Sequence, residues 1–277
     1  KVTSWLIIGT DVSGNQDGIG EDYQGAMADF MLLVVFDEEN HSYGMLQLNR
    51  DTMTEIHLLD NKGEGEATAD IQLCTAHWYG GNRQQGCENT ITAVSHLLGG
   101  VPIDGYYELN MSEIPKLNNM VDGVTVTLED DFSKKYPKMK KGATINLDDE
   151  QAYAYVHDRY GVGDEENTSR MKRQQQYMTG FFKKLQEKVK ANPNYANEVF
   201  ESLQDVSTTD ITIGKISNIS NIFASGTDKG IFELAGKSKI GQALGDEIDH
   251  MEFYVNKKAM VSTMSELFGI VEQKNKE

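Results

Sequence analysis

The stretch "FMLLVVFDEENHSYGMLQLNRDT", residues 30–52, decides the fold. Residues 30–36 are a continuous apolar run of strand length, "DEENHS" is a polar turn, and "YGMLQLN" (43–49) alternates in the manner of a second strand. Together they predict an antiparallel hairpin. Centring the turn near Glu39 and Asn40 sets position 29 opposite position 50. A slip of a residue or two leaves one consequence intact: Asp29, ahead of the first strand, and Arg50-Asp51, after the second, emerge at the same end. Read locally, Arg50-Asp51-Thr52 is a strand-ending turn.

Around this hairpin the pattern is α/β. "SWLIIGTD" (4–11) reads as a buried strand ending on Asp11, and residues 12–26 as a loop rich in Gly and Asp. "CENTITAVSHLLGG" predicts a helix closed by Gly99-Gly100, and "VDGVTVTL" (121–128) a turn into a strand. "LDDEQAYAYVHDR" predicts an acidic helix start running to about residue 158. The longest helix is expected over 168–190, capped by Thr168 or Ser169. Met171, Met178, Phe181, Leu185 and Val189 form its core stripe, while Arg170, Arg173, Gln174 and Tyr177 lie on an adjacent one. Two arginines over the exposed N–H groups of a helix start make a natural seat for an anion. The last hundred residues add a strand "HMEFYV" and a closing helix from Ser262 to about Val271. No linker, hinge or repeat marks a boundary, so residues 1–277 are read as one domain.

With 277 residues the chain can bury a sizeable core. A net charge of −17 leaves no broad basic face, which disfavours nucleic acid as a partner. Nothing approaches the ~20 apolar residues of a membrane-spanning helix. The chain opens almost directly on a strand without an initiator Met, and the expectation is that a targeting or anchoring segment has been removed. Cys74 and Cys87 lie too far apart for a paired metal motif; they read either as one disulfide closing a Gly-rich loop, as in an extracellular protein, or as two separate buried thiols.

The common signatures of nucleotide-binding loops, hydrolase elbows and zinc proteases are absent. What remains is a set of acids and arginines at element ends: Asp11, Asp29, Arg50, Asp51, Arg159, Arg170 and Arg173. Each alone is more often a turn residue or a solvated helix start. As a set they match one chemistry, since carboxylates hold Mg²⁺ and guanidinium groups grip phosphate oxygens. That combination suits phosphoryl transfer at a pyrophosphate, which proceeds by positioning and charge stabilisation.

"LIIGTD", "ADFMLLVVF", "LNRDTMTEI", "HWYGG", "VDGVTV", "AYAYVHDR" and "SRMKRQQQ" occur in the order and rough spacing of the LytR-CpsA-Psr family, which the chain resembles from residue 5 to about 185. The resemblance implies a three-layer α/β/α sandwich with a central mixed β-sheet and an apolar lipid pocket. It implies a bacterial protein anchored by an N-terminal segment on the outer face of the cytoplasmic membrane. Its activity would be transfer of an anionic glycopolymer, of the teichoic acid kind, from a polyprenyl-pyrophosphate carrier to peptidoglycan, with Mg²⁺. Position by position, Asp11 and Asp29 match the magnesium-associated acids and Arg50 the arginine of the R-D-T motif, with Asp51 beside it. Arg159 matches the second arginine of R-x-R, and Arg170 and Gln174 the pair that opens the next helix, with Arg173 between. Arg50, Arg159 and Arg170 would then neutralise the pyrophosphate, converging at one pocket mouth, and Asp51 or Asp29 would serve as base.

Four positions depart from the family pattern. Met27 and His157 stand where arginines are usual, Asn167 where an acid is frequent, and Asn49 where proline is common. These departures read as lower activity, as a less charged donor, or as a subfamily in which His157 serves at the substrate as a pH-sensitive substitute. Loss of cationic positions keeps two rivals open: a module that binds polyprenyl phosphates or wall glycan without catalysis, and a lipid pyrophosphatase using water.

Overall fold

In the computed structural model, residues 1–11, 23 and 25–269 are described. The chain runs β1 (Val2–Thr10), β2 (Ala28–Asp37), β3 (Ser42–Leu48), β4 (Met53–His57), β5 (Thr68–Gln72), α1 (Arg83–Leu97), β6 (Gly105–Asn110), α2 (Ile114–Met120), β7 (Val124–Thr127) and β8 (Thr144–Leu147). It continues with α3 (Asp149–His157), α4 (Asn167–Ala191), α5 (Tyr195–Ser202), β9 (Ser207–Thr209), α6 (Ile213–Ser225), β10 (Thr227–Glu233), β11 (Gly236–Gly241), β12 (His250–Val255) and α7 (Lys257–Phe268). It divides into two compact units, one of residues 1–109, 207–212 and 226–277, the other of residues 110–206 and 213–225. The chain passes between them within or beside regular elements, which is why no linker composition announces the division.

The first unit carries a mixed six-stranded sheet in the order β10-β3-β2-β1-β6-β9. β2 pairs antiparallel with β1 and β3, while β10 pairs parallel with β3. The hairpin has the register read from the sequence, Met31 facing Leu48 and Asp37 facing Ser42. Asp37 itself organises the turn, its Oδ1 accepting the amides of Glu39 and Asn40 at 3.1 Å each. The apolar run of β2 supplies both faces of a central strand. One face, with Leu6, Ile8, Met31, Leu33 and Leu46, packs on Val94 of α1, on Leu98 just after it, and on Met260, Met264 and Leu267 of α7. The other carries Trp5, Leu32, Val34, Phe36, Tyr43 and Met45, all buried.

Helix α1 starts four residues before the expected Cys87 because Asn82 caps it, its side chain accepting from the Gln85 amide at 2.9 Å. Gly99 and Gly100 end it at positive φ, as read from the sequence. Likewise α7 begins before Ser262 because Asn256 accepts from the Lys258 and Ala259 amides.

In the second unit, α3 opens on a capping box made by Asp148 and Gln151. Val124, Val126 and Leu128 of the β7 segment pack with Phe132, Tyr155, Tyr177 and Phe181 in its core. Neither Thr168 nor Ser169 caps α4: the helix starts at Asn167 after Glu166, and Ser169 Oγ instead donates to Asp164 Oδ2 at 2.7 Å. Met171, Phe181 and Val189 are buried as expected, and so is the polar stripe beside them, Arg170, Arg173, Gln174 and Tyr177.

Candidate active site

Strand ends set the first cluster. Along β1, Gly9 pairs with Phe30 and Thr10 with Ala28, so Asp29 is the extra residue of a β-bulge. A bulge turns a side chain out of the regular alternation, and it falls here on the acid that the hairpin register brings opposite Arg50. Asp11 follows Thr10 directly, so the two acids flank the Thr10–Ala28 pair.

Arg50 Nε stands 2.7 Å from Asp29 Oδ1 and Nη1 3.4 Å from Asp51 Oδ1, while Nη2 donates to Met27 Sδ at 3.1 Å. Met27, in the place of an arginine, therefore faces Arg50 as a soft acceptor. The Arg50 and Asp29 side chains are 17% and 15% exposed, enough to strengthen their attraction while keeping a face to solvent. The Arg50-Asp51-Thr52 turn is braced on several sides. Asn49 Oδ1 accepts the Asp51 amide at 2.9 Å, Arg50 O accepts the Cys74 amide at 3.0 Å, and Asp51 O accepts the Phe253 amide at 2.8 Å. Asn49 thus does with its side chain part of what a proline would do by stiffness.

Cys74 and Cys87 are both free and buried, which corrects the disulfide reading. Loop spacing says nothing about which way each side chain points. Cys74 lies within electrostatic reach of Arg50, Asp51 and Asp29, and burial pushes its thiol up to about 12. Cys87 donates instead to Glu108 Oε2 at 3.0 Å.

The second cluster lies in the other unit, at the start of α4 and the end of α3. Arg170 Nη2 donates to Asn167 Oδ1 at 2.9 Å, so the neutral amide in the place of an acid still holds this arginine. Gln174 Nε2 donates to Val156 O at 3.1 Å. Arg173 is 1% exposed, and each of its nitrogens has a partner: Nε donates to Tyr155 O at 2.9 Å, Nη1 to Asp130 Oδ2 at 2.5 Å, and Nη2 to Asp158 O. It also lies over the Phe132 ring. Its guanidinium is spent on tying α4 to the end of α3 and to the segment after β7.

His157 stacks on Tyr153 with ring centroids 4.6 Å apart, and its Nδ1 lies 3.2 Å from Asp158 Oδ1. Lys135 Nζ holds Oδ2 of the same carboxylate at 3.1 Å. Burial opposes ionisation of Asp158, but the hydrogen bonds from His157 and Lys135 outweigh it and hold the carboxyl below the ordinary range. Arg159 bonds the hydroxyl of exposed Tyr160 and covers its ring. Lys135 and Asp158 carried no signal in the sequence, since Lys135 sits in a polar loop and Asp158 reads as a helix-end residue.

An acid at a β-bulge and a braced arginine at a strand end in one unit, and buried arginines at a helix start in the other, mark out this mixed α/β chain. The chain belongs to the LytR_cpsA_psr family, whose model matches residues 1–268. It is 28% identical over 181 residues to the polyisoprenyl-teichoic acid–peptidoglycan teichoic acid transferase TagU of Bacillus cereus ATCC 14579, a match covering 65% of this chain and 52% of that protein. The chain thus spans about half the length of that curated relative. Among solved structures it is similar to protein gbs0355 of Streptococcus agalactiae, with a TM-score of 0.74 at 22% identity over 97% of this chain and 87% of that one. It is also similar to TagT bound to LIIa-WTA, with a TM-score of 0.68 at 18% identity over 97% and 90% of the two chains. These likenesses establish the mixed α/β fold. Among the described residues no helix is long and apolar enough to cross a membrane.

Proposed function

We propose that the chain is the catalytic domain of a transferase that moves an anionic glycopolymer from a polyprenyl-pyrophosphate carrier to peptidoglycan, on the outer face of the bacterial cytoplasmic membrane. The reading rests on family membership and on the names of relatives, and the Asp29–Arg50 pair on matched strand ends is the observation that carries it to chemistry.

A peptidoglycan sugar hydroxyl attacks the phosphorus that bears the glycan. The new P–O bond forms as the bond to the second phosphate breaks, and polyprenyl phosphate leaves. The hydroxyl proton passes to Asp29 or Asp51, the two carboxylates facing the Arg50 guanidinium. In the first unit Arg50 offsets charge that accumulates on the pyrophosphate oxygens; Arg159 and Arg170, with His157 and Gln174, are the phosphate-handling groups that the family pattern assigns to the second unit. Arg173, whose nitrogens are all engaged inside its unit, serves as a positioning residue that fixes the start of α4.

Asp11 and Asp29 fit Mg²⁺ by their chemistry: hard carboxylate oxygens on either side of one strand pair, each only part-buried. They would hold the ion, which when bound supplies additional neutralisation of phosphate charge. The test is transfer from a synthetic polyprenyl-pyrophosphate-linked donor to peptidoglycan, with and without Mg²⁺, compared with Arg50→Ala. Donor binding without turnover supports the non-catalytic module instead, and release of phosphorylated glycan and polyprenyl phosphate without labelled peptidoglycan supports the pyrophosphatase.

A further inference from the structure

His77, Cys87 and Glu108 take no part in the roles above, and all three are fully buried. They come from three separate elements: the 3₁₀ segment Leu73–Trp78, α1 and β6. His77 Nε2 lies 3.1 Å from Glu108 Oε2, Cys87 Sγ lies 3.0 Å from the same oxygen, and Sγ and Nε2 are 3.6 Å apart. One nitrogen, one sulfur and one carboxylate oxygen therefore close a triangle. Tetrahedral zinc, with bonds of about 2.0–2.3 Å, spaces such donors about 3.4–3.6 Å apart. Each observed separation falls within about half an ångström of that.

The proton inventory points the same way. His77 Nδ1 lies 3.3 Å from Ala26 O, and a carbonyl can only accept, so this nitrogen carries the ring hydrogen. Fixing one ring nitrogen as donor leaves the other as a lone pair aimed inward. That lone pair meets Oε2, also an acceptor, and Cys87 brings a single proton to the triangle. The other carboxylate oxygen, Oε1, is already covered by Arg83 Nη2 at 3.0 Å, Arg83 Nε at 3.3 Å and Thr10 Oγ1 at 3.1 Å. A further positive centre is needed between Nε2 and Oε2. An imidazolium with a thiol, or zinc with a neutral imidazole and a thiolate, supplies the same net charge; going from the first to the second adds three coordinate bonds and releases two protons, one from the imidazolium and one from the thiol. Tyr23 contributes a second observation. Its buried hydroxyl has no hydrogen-bond partner among the described residues and lies within electrostatic reach of Glu108 and Cys87, which leaves it available as a further donor.

We propose that His77 Nε2, Cys87 Sγ and Glu108 Oε2 form a buried zinc site that pins the 3₁₀ segment, α1 and β6 together, with the Tyr23 hydroxyl as fourth donor. The site is structural, since its ligands have no access to solvent.

The full chain, stripped with a chelator and titrated with Co²⁺ as a spectroscopic probe, tests this. The expected result is one equivalent bound, with the visible bands of a tetrahedral site and a near-ultraviolet sulfur-to-cobalt charge-transfer band. One equivalent of Zn²⁺ should bleach these bands and raise Tm. Cys87→Ser should lose the charge-transfer band and bind Co²⁺ at least ~10-fold more weakly, while Cys74→Ser keeps the band. Absence of stoichiometric uptake by the wild type, or a band that survives in Cys87→Ser, overturns the site in favour of the imidazolium network. If Cys87→Ser fails to fold, the wild-type titration alone decides.

Discussion

Arg50 Nε lies 2.7 Å from Asp29 Oδ1, across the open end of the β2–β3 hairpin. Removing the guanidinium removes the nearest positive charge to both candidate bases. Arg50→Ala should lower transfer by about 10²–10³-fold, the effect of deleting one charge-stabilising donor. The turn backbone is held by bonds to Cys74 and Phe253 that do not involve the side chain, so circular dichroism and Tm should stay close to wild type.

Arg173 is expected to behave differently. Arg173→Ala leaves the Asp130 carboxylate, 14% exposed, without its cation, and strips two backbone carbonyls of their donor. Breaking a buried pair from one side costs about 3–5 kcal/mol. Urea unfolding should show a loss of that size, with activity falling only as the protein unfolds. A normal urea midpoint with lost transfer would instead place Arg173 at the substrate.

Asp158 gives a pH signature. Its carboxyl is held below the ordinary aspartate value of 3.8. A depressed folded-state value means the contribution to stability is complete above that ordinary value and is lost as pH falls through the lowered one. The stability difference between wild type and Asp158→Asn should be constant near neutrality and shrink below pH ~4. A difference that grows on acidification would contradict the assigned direction.

Gly81 is the last residue of "HWYGG", and a Cβ placed there would stand 1.9 Å from the Asn61 carbonyl oxygen. The obstacle is backbone, which cannot swing aside. Gly81→Ala should cost about 1–3 kcal/mol, as overpacking does, measured by thermal or urea unfolding.

What the sequence disclosed follows a physical division. Hairpin register was legible because an alternating strand and a short polar turn leave few ways to pair, and it correctly set Asp29 against Arg50. The bulge that singles out Asp29 was not, since it depends on how β1 meets β2 at Gly9 and Thr10. Burial of Arg170, Arg173 and Gln174 ran against the usual solvated helix start, because their partners, among them Asp130, Tyr155 O and Val156 O, come from elsewhere in the chain. The disulfide expectation failed for the same reason. Glu108 was half-visible as an acid inside the strand "GYYELN", on the same alternation as buried Tyr106, but nothing local tied it to His77 and Cys87.

The central claim is transfer itself, and the most direct measurement follows a labelled glycopolymer on a polyprenyl-pyrophosphate donor in the presence of peptidoglycan and Mg²⁺. The account predicts that label becomes joined to peptidoglycan through a phosphodiester while polyprenyl phosphate is released in equal amount, and that Arg50→Ala does both about 10²–10³-fold more slowly. Donor bound but unchanged, or cleaved to free phosphorylated glycan with no label on peptidoglycan, would contradict it.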